Sequence, residues 1–268
     1  MINPVPARLR GMLRPDGRTV IVAMDHALAH GPIAGLDRPA ELIERVIASG
    51  ADCIMTSYGI VKKYGHLITP HVPIIMRIDG GPSLLTATWR EYTDYRLLYS
   101  VEDAAQMGAS GVVVMHFMGA PVEMDTLEAL AHVAAACDRT GLSLLVEALP
   151  CPHPNIPNIF AADAIAAAAR IAAEHGADWV KTTYSGSVES FKSIVDTATV
   201  PVVVLGGEYM RDDRAVFDLV YGSMQAGACG IAMGRNIWQA VNPPAVLRAL
   251  SALVHDEATV DAALALLA

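Results

Sequence analysis

The sequence predicts a (β/α)8 barrel, the TIM-barrel class of α/β fold, as a single domain over residues 1–268 with residues 1–18 as an N-terminal extension. Three observations lead there. Eight short apolar runs recur along the chain and alternate with longer helical patterns. Unbroken apolar runs suit parallel strands buried on both faces, and regular β–α alternation builds a parallel sheet. Polar residues gather at the C-terminal ends of these runs, the end at which barrels carry their sites.

The runs read as strands at Thr19–Met24, Asp52–Thr56, Pro73–Ile78, Gly111–His116, Ser143–Glu147, Asp178–Thr182, Pro201–Leu205 and Gly230–Met233. Helical patterns lie at Arg38–Ala48, Val101–Met107, Met124–Arg139, Ala161–Glu174, Val188–Asp196 and Asp213–Gln225. Ser49-Gly50-Ala51-Asp52, Met107-Gly108-Ala109-Ser110, His175-Gly176-Ala177-Asp178 and Ala226-Gly227-Ala228-Cys229 each close a helix before an even-numbered strand. Their glycines sit where a left-handed residue ends a helix. Val72-Pro73 and Val200-Pro201 enter strands three and seven, and Gly80-Gly81 and Gly206-Gly207 follow them. Duplication of a half-barrel would leave such a trace. Two connections are long: residues 79–100, with Trp89, Tyr92, Tyr95 and Tyr99, and residues 148–160, with four prolines that read as a rigid wall.

Composition narrows the function. With 53% hydrophobic and 18% charged residues the chain has a large core and little disorder. A formal charge of −9 without a basic stripe argues against nucleic acid. Cys53, Cys137, Cys151 and Cys229 form no CxxC pair, so reduced thiols are expected. Residues 1–18 carry Arg8, Arg10 and Arg14 but no apolar signal core. The most apolar helix, Ala161–Glu174, is too short and too interrupted to span a bilayer. A cytoplasmic protein with no membrane partner is expected.

The strand ends, in order, present Asp25-His26, Ser57-Tyr58, Asp79, His116, Glu147, Lys181, Gly206-Gly207 and Gly234-Arg235-Asn236. Burial of Lys181 would lower its pKa and free its amine to attack a carbonyl. The plainer alternative is a lysine that snorkels to solvent. Asp25 suits a carboxylate that pairs with an iminium, or a cap on its own loop. Gly206, Gly207 and Gly234, with Arg235 as a cation, suit a phosphate site of bare backbone N–H groups; two ordinary turns are the alternative.

Val22-Ala23-Met24-Asp25-His26 with Gly31-Pro32, Val180-Lys181-Thr182, Val203-Val204-Leu205-Gly206-Gly207 and Gly234-Arg235-Asn236-Ile237 together resemble the class I aldolases of the archaeal fructose-bisphosphate aldolase type. Within that group the likeness is to the 2-amino-3,7-dideoxy-D-threo-hept-6-ulosonate synthases, over residues 15–268. The resemblance implies Lys181 as the Schiff-base lysine, Asp25 as its carboxylate partner, the two glycine loops as a phosphate pocket lined by His26 and Arg235, no cofactor or metal, and a homo-oligomer, pentamer or decamer. The chain departs from the pattern twice. Leu149-Pro150 stands where the family has a Tyr-Pro pair whose hydroxyl is the acid/base, and Glu208-Tyr209 stands where it has Pro-Lys. Glu147, its pKa raised by partial burial, or His153 is expected to move the proton instead, with His26 and His116 as the other candidates.

The expected function is therefore a Lys181-dependent aldolase or transaldolase-like lyase or synthase of carbohydrate metabolism, acting on a small ketone or ketose. Three alternatives stand beside it: a thiolase-like acyl-transferring relative, a class II aldolase with a metal held by Asp25, His26, His116, Glu147 and His153, and a barrel that only binds.

Overall fold

The computed structural model describes residues 7–267. Residues 1–6 of the expected extension lie outside the described residues. Eight parallel strands close a barrel in chain order: β1 Thr19–Ala23, β2 Cys53–Ser57, β3 Ile74–Arg77, β4 Gly111–Met118, β5 Ser143–Pro150, β6 Trp179–Thr182, β7 Val202–Leu205 and β8 Gly230–Met233, which pairs with β1. The single-domain (β/α)8 expectation holds. A strand buried on both faces has no polar side to display, which is why these segments read as continuous apolar runs.

Strand alternation sorts the side chains into two cores. Ile21, Cys53, Ile75, Val113, Leu145, Trp179, Val203 and Ala232 fill the barrel interior. Val20, Ile54, Ile74, Val112, Val114, Val146, Val180 and Val204 face the surrounding helices. The segment before β1 belongs to the interior core. After the short turn Ala7–Leu9, Leu9 and Met12 are fully buried among the inward side chains. Arg8 ties this segment to Asp178 and Asp138, each at 2.8 Å, and Arg14 ties it to Asp52 at 2.5 Å.

The four helix-closing repeats share one geometry. Gly50, Gly108, Gly176 and Gly227 all have φ between 77° and 103°. The N–H of each following alanine bonds back to the carbonyls of Val46, Ala104, Ala172 and Ser223 respectively. Each glycine N–H bonds to the next carbonyl along, Ile47, Ala105, Ala173 or Met224. This is the Schellman arrangement, and it needs a residue without a Cβ at the left-handed position.

The structure corrects several boundaries. β4 and β5 run on to Met118 and Pro150 in continuous register, so the proline-rich connection begins at Cys151. Pro150 is the last residue of β5, and the next N–H, that of Cys151, bonds to the Met118 carbonyl. The connection 79–100 folds into a two-stranded ribbon, Asp79–Gly80 against Arg96–Leu97, with a short turn at Trp89–Glu91. Helices also form at Tyr58–Ile68 and Pro243–His255. Gly59 and Gly65 weaken the helical signal of the first, yet Val61 and Ile68 give it a buried stripe. The apolar face of Ala162–Glu174 is used inside the fold, with Ile165, Ala168, Ala169 and Ala172 buried. Among the described residues no helix is long and apolar enough to cross a membrane.

Beneath the barrel, His255 bonds to Asp16 at 2.7 Å and to Asp52 at 2.8 Å. Burial lowers its proton affinity, but the bonds to Asp52 and Asp16 outweigh burial and raise its pKa above the ordinary histidine value. A raised folded-state pKa adds stability that is complete below about pH 6.5 and fades as pH climbs through the raised value. His255→Gln should therefore lower Tm at pH 5.5–6 more than at pH 9, as read by thermal unfolding; an equal loss at both would discount the ion pairs. Leu9→Ala should cost about 2–5 kcal/mol in urea unfolding, as for a fully buried leucine. A smaller loss would mean that the barrel end collapses around the gap.

Candidate active site

At the C-terminal ends of the strands lies a cavity of about 620 Å³. Inward-facing positions one step beyond the apolar interior layer supply its floor: Asp25 after β1, Arg77 on β3, Glu147 on β5 and Lys181 on β6. Parallel register sets Glu147 directly beside Lys181, and Lys181 Nζ lies 3.0 Å from Glu147 Oε1. Lys181 is 4% exposed, so the snorkelling alternative fails.

Arg77 holds the floor together. Its Nε donates to Asp25 Oδ2 at 2.5 Å, its Nη1 to Asp79 Oδ1 at 3.1 Å and its Nη2 to Glu147 Oε2 at 2.6 Å. A guanidinium carries five fixed donors and stays charged, so one side chain can face three carboxylates. Asp79 also accepts the backbone N–H of Met115. Burial raises the pKa of Asp25, but Arg77, His26 and Lys181 more than reverse this and hold it at about 2. Burial likewise pushes Glu147 up, and the charges of Lys181 and Arg77 bring it below the usual carboxylate range. The expected rise of Glu147 toward neutrality is thus overturned, because two cations contact its oxygens. Asp79 behaves the other way: burial prevails over Arg77, and its pKa is raised.

His26 stands beside Asp25, Nδ1 to Oδ1 at 3.5 Å, with its ring edge-on to Trp238 at 5.4 Å. Burial, with the positive charges of Lys181 and Arg235, lowers its pKa to about 4. On the other side, Gly206, Gly207, Gly234 and Arg235 line the cavity together. Asn236 shapes this corner: its Nδ2 donates to the carbonyls of Gly206 at 2.7 Å and Glu208 at 3.0 Å, and its Oδ1 accepts from Met210 N–H at 2.9 Å. A Cβ on Gly234 would lie 2.5 Å from the Ala23 carbonyl, so the loop can pack there only as glycine. Arg235 Nε is buried without a hydrogen-bond partner in the protein. Glu208 also lines the cavity, and its charge reaches Arg235.

The opposite wall is apolar. Leu149 packs inward with Met115, Phe117, Tyr92 and Tyr95. His153 sits outside the cavity on the exposed proline-rich connection, where its Nδ1 accepts from Asn155 N–H at 3.1 Å. His116 shares the strand face of Val112 and Val114 and is sealed in the helix-facing core, its pKa lowered by burial to about 4. The five side chains of the metal reading therefore do not converge: Arg77 stands between Asp25 and Glu147, while His116 and His153 point elsewhere. Among the described residues no group of three or more His, Cys, Asp or Glu side chains is arranged to hold a metal ion. Arg77 and Asn236 carry no assignable role on sequence grounds alone. The signal for Arg77 was a charge inside the apolar run Ile74-Ile75-Met76, in phase with Ile75 and Asp79.

The pattern that describes DeoC/LacD family aldolases matches residues 19–240. A 2-amino-3,7-dideoxy-D-threo-hept-6-ulosonate synthase of Halobacterium salinarum is 37% identical over 93% of this chain and 91% of that protein. A 2-amino-4,5-dihydroxy-6-oxo-7-(phosphonooxy)heptanoate synthase of Streptomyces griseus is 33% identical over 93% of this chain and 89% of that one. An archaeal fructose-1,6-bisphosphate aldolase, solved with its catalytic lysine covalently bound to the carbinolamine intermediate of the substrate, superposes with a TM-score of 0.83 at 32% identity over 92% of this chain and 98% of that one. With this coverage the chain belongs to the DeoC/LacD aldolase family, and it is a Schiff-base-dependent, class I aldolase.

Proposed function

We propose that Lys181 is the imine-forming lysine and that the enzyme joins or cleaves a phosphorylated ketose-type donor and an aldehyde. The observation that carries this reading is the Lys181 amine, buried at the end of β6, 3.0 Å from Glu147 and opening on the cavity that also holds Asp25 and Arg235. The relatives support it, since one binds its substrate covalently through lysine and another is named for a phosphonooxy product.

In this reading Glu147, 3.0 Å away, accepts the proton that leaves the Lys181 nitrogen as it attacks the donor carbonyl. Glu147 returns that proton to the carbinolamine hydroxyl, which leaves as water, and an iminium remains, faced by the carboxylates of Glu147 and Asp25. One of these carboxylates takes a proton from the adjacent carbon to give the enamine, which adds to the acceptor; water then hydrolyses the resulting iminium and frees Lys181. The donor phosphate rests against the backbone of Gly206, Gly207 and Gly234, with Arg235 as its cation and neutral His26 beside it. Glu208 narrows the tolerance for a doubly charged anion in this corner by repulsion. The proposal includes a homo-oligomer in the cytoplasm that serves carbohydrate metabolism, supported by the exposed apolar side chains Met124, Val188 and Leu266 on or beside the outer helices. Light scattering that returned a monomer would remove that part.

Borohydride reduction in the presence of dihydroxyacetone phosphate should attach the donor to Lys181, read by peptide mass spectrometry. Lys181→Met should abolish the adduct and turnover, and an undiminished adduct would sink the assignment. Arg77→Met should lose turnover and about 3–5 kcal/mol of stability, because three carboxylates lose their shared cation. Wild-type stability in that variant would mean that water replaces the guanidinium at little cost.

A further inference from the structure

Aldol addition creates an alkoxide, so a proton donor must reach the acceptor oxygen. The carboxylates around Arg77 are poorly suited. Asp25 and Glu147 are held ionised below the usual carboxylate range, and Asp79 has both oxygens occupied by Arg77 and Met115 N–H. His26, lowered to about 4, stays neutral and brings no acidic proton. Tyr92 lines the cavity but spends its hydroxyl on the Pro82 carbonyl at 2.8 Å. Leu149 has no proton to give.

Tyr95 remains. It comes from the long β3 connection, lies only 8% exposed and lines the same cavity as Lys181. Its ring is clamped, stacked on Tyr92 at 5.6 Å and edge-on to Phe117 at 5.0 Å, with Gly81 beneath it, where a Cβ would come 2.7 Å from Tyr95 Cδ2. So fixed a ring aims its hydroxyl at one place. That place lies within reach of the charges of Asp79, Arg77, Glu147 and Asp25. Among the described residues the hydroxyl makes no hydrogen bond to protein, yet it is not one of the sealed, unpartnered polar atoms. Tyr95 thus brings to the cavity lining a hydroxyl that no described residue engages.

We propose that Tyr95 is the general acid/base of the carbon–carbon step, delivering its phenolic proton to the acceptor oxygen. This rests on the Lys181 enamine reading. The enamine carbon bonds to the acceptor carbonyl carbon, the π pair moves to oxygen, and that oxygen takes the proton from Tyr95 Oη. The phenolate faces Arg77 and recovers its proton from solvent. In the cleavage direction the phenolate takes the hydroxyl proton, the carbon–carbon bond breaks and its pair returns to the enamine. Burial, with the charges of Asp79, Glu147 and Asp25, pushes Tyr95 well above the ordinary tyrosine pKa against the pull of Arg77, so the resting group is the neutral phenol that synthesis requires.

Tyr95→Phe removes one oxygen from a ring whose packing stays. With dihydroxyacetone phosphate as donor and a panel of short aldehydes as acceptors, the variant should still form the borohydride-trapped adduct on Lys181. It should still exchange the donor's α-proton with deuterated water. Its kcat for carbon–carbon bond formation should fall about 100-fold or more, the usual weight of general acid catalysis. Retained kcat would overturn the proposal. Loss of the adduct and exchange along with kcat would also overturn it, by showing a structural role. A wild-type enzyme that traps no donor on Lys181 brings down the lysine reading itself. A wild type that traps the donor but joins none of the aldehydes leaves the lysine reading standing and denies Tyr95 its step.

Discussion

A single buried guanidinium organises this molecule's working end. Arg77 on β3 bonds to carboxylates from the β1 end, its own strand end and β5, and Glu147 passes the contact on to Lys181 of β6. Charges at this depth persist only when paired, since each carries a desolvation cost that partners must offset. Removing any member leaves another uncompensated, so the spacing between distant strands is set by electrostatics as well as by backbone pairing. The same pairs keep Asp25 and Glu147 ionised, the state in which the proposed reading has them face a cationic imine.

The two ends of the barrel divide the work of stability and chemistry. Below, Leu9 and Met12 pack into the interior core, and Arg14, Asp16, Asp52 and His255 join the entering segment to the last long helix. Above, the apolar interior gives way to charged residues on one side and to an aromatic wall of Tyr92, Tyr95 and Phe117 on the other. That asymmetry suits a substrate with a charged donor end and a less polar face turned toward Leu149. Both halves are used in the proposed reading, with backbone N–H groups near Arg235 for the donor's anion and the aromatic wall to keep water from the enamine.

Leu149 and Pro150 close β5, and the neighbours show what the leucine does there. Leu149 occupies the inward position on β5 and packs against Phe117, completing a hydrophobic wall. The wall holds Tyr95, whose loop crosses from β3. A proton donor need not come from a barrel strand; it needs to be rigid and to face the reacting oxygen.

The chain's periodicities alone determined the barrel, because strands buried on both faces and helices closed by left-handed glycines each leave a local mark that survives without coordinates. Lys181, Asp25 and Glu147 were legible for a related reason: a charged residue at the end of an apolar strand has few places to go. Tertiary structure alone decided the rest. Arg77 reads as one more strand residue until three carboxylates from separate elements surround it. Glu147 looked like an acid with a raised pKa until register set Lys181 beside it. His153 looked like a site residue until its loop turned outward. Distances between residues far apart in sequence fix which charges meet, and a pKa depends on those meetings rather than on the residue's neighbours along the chain.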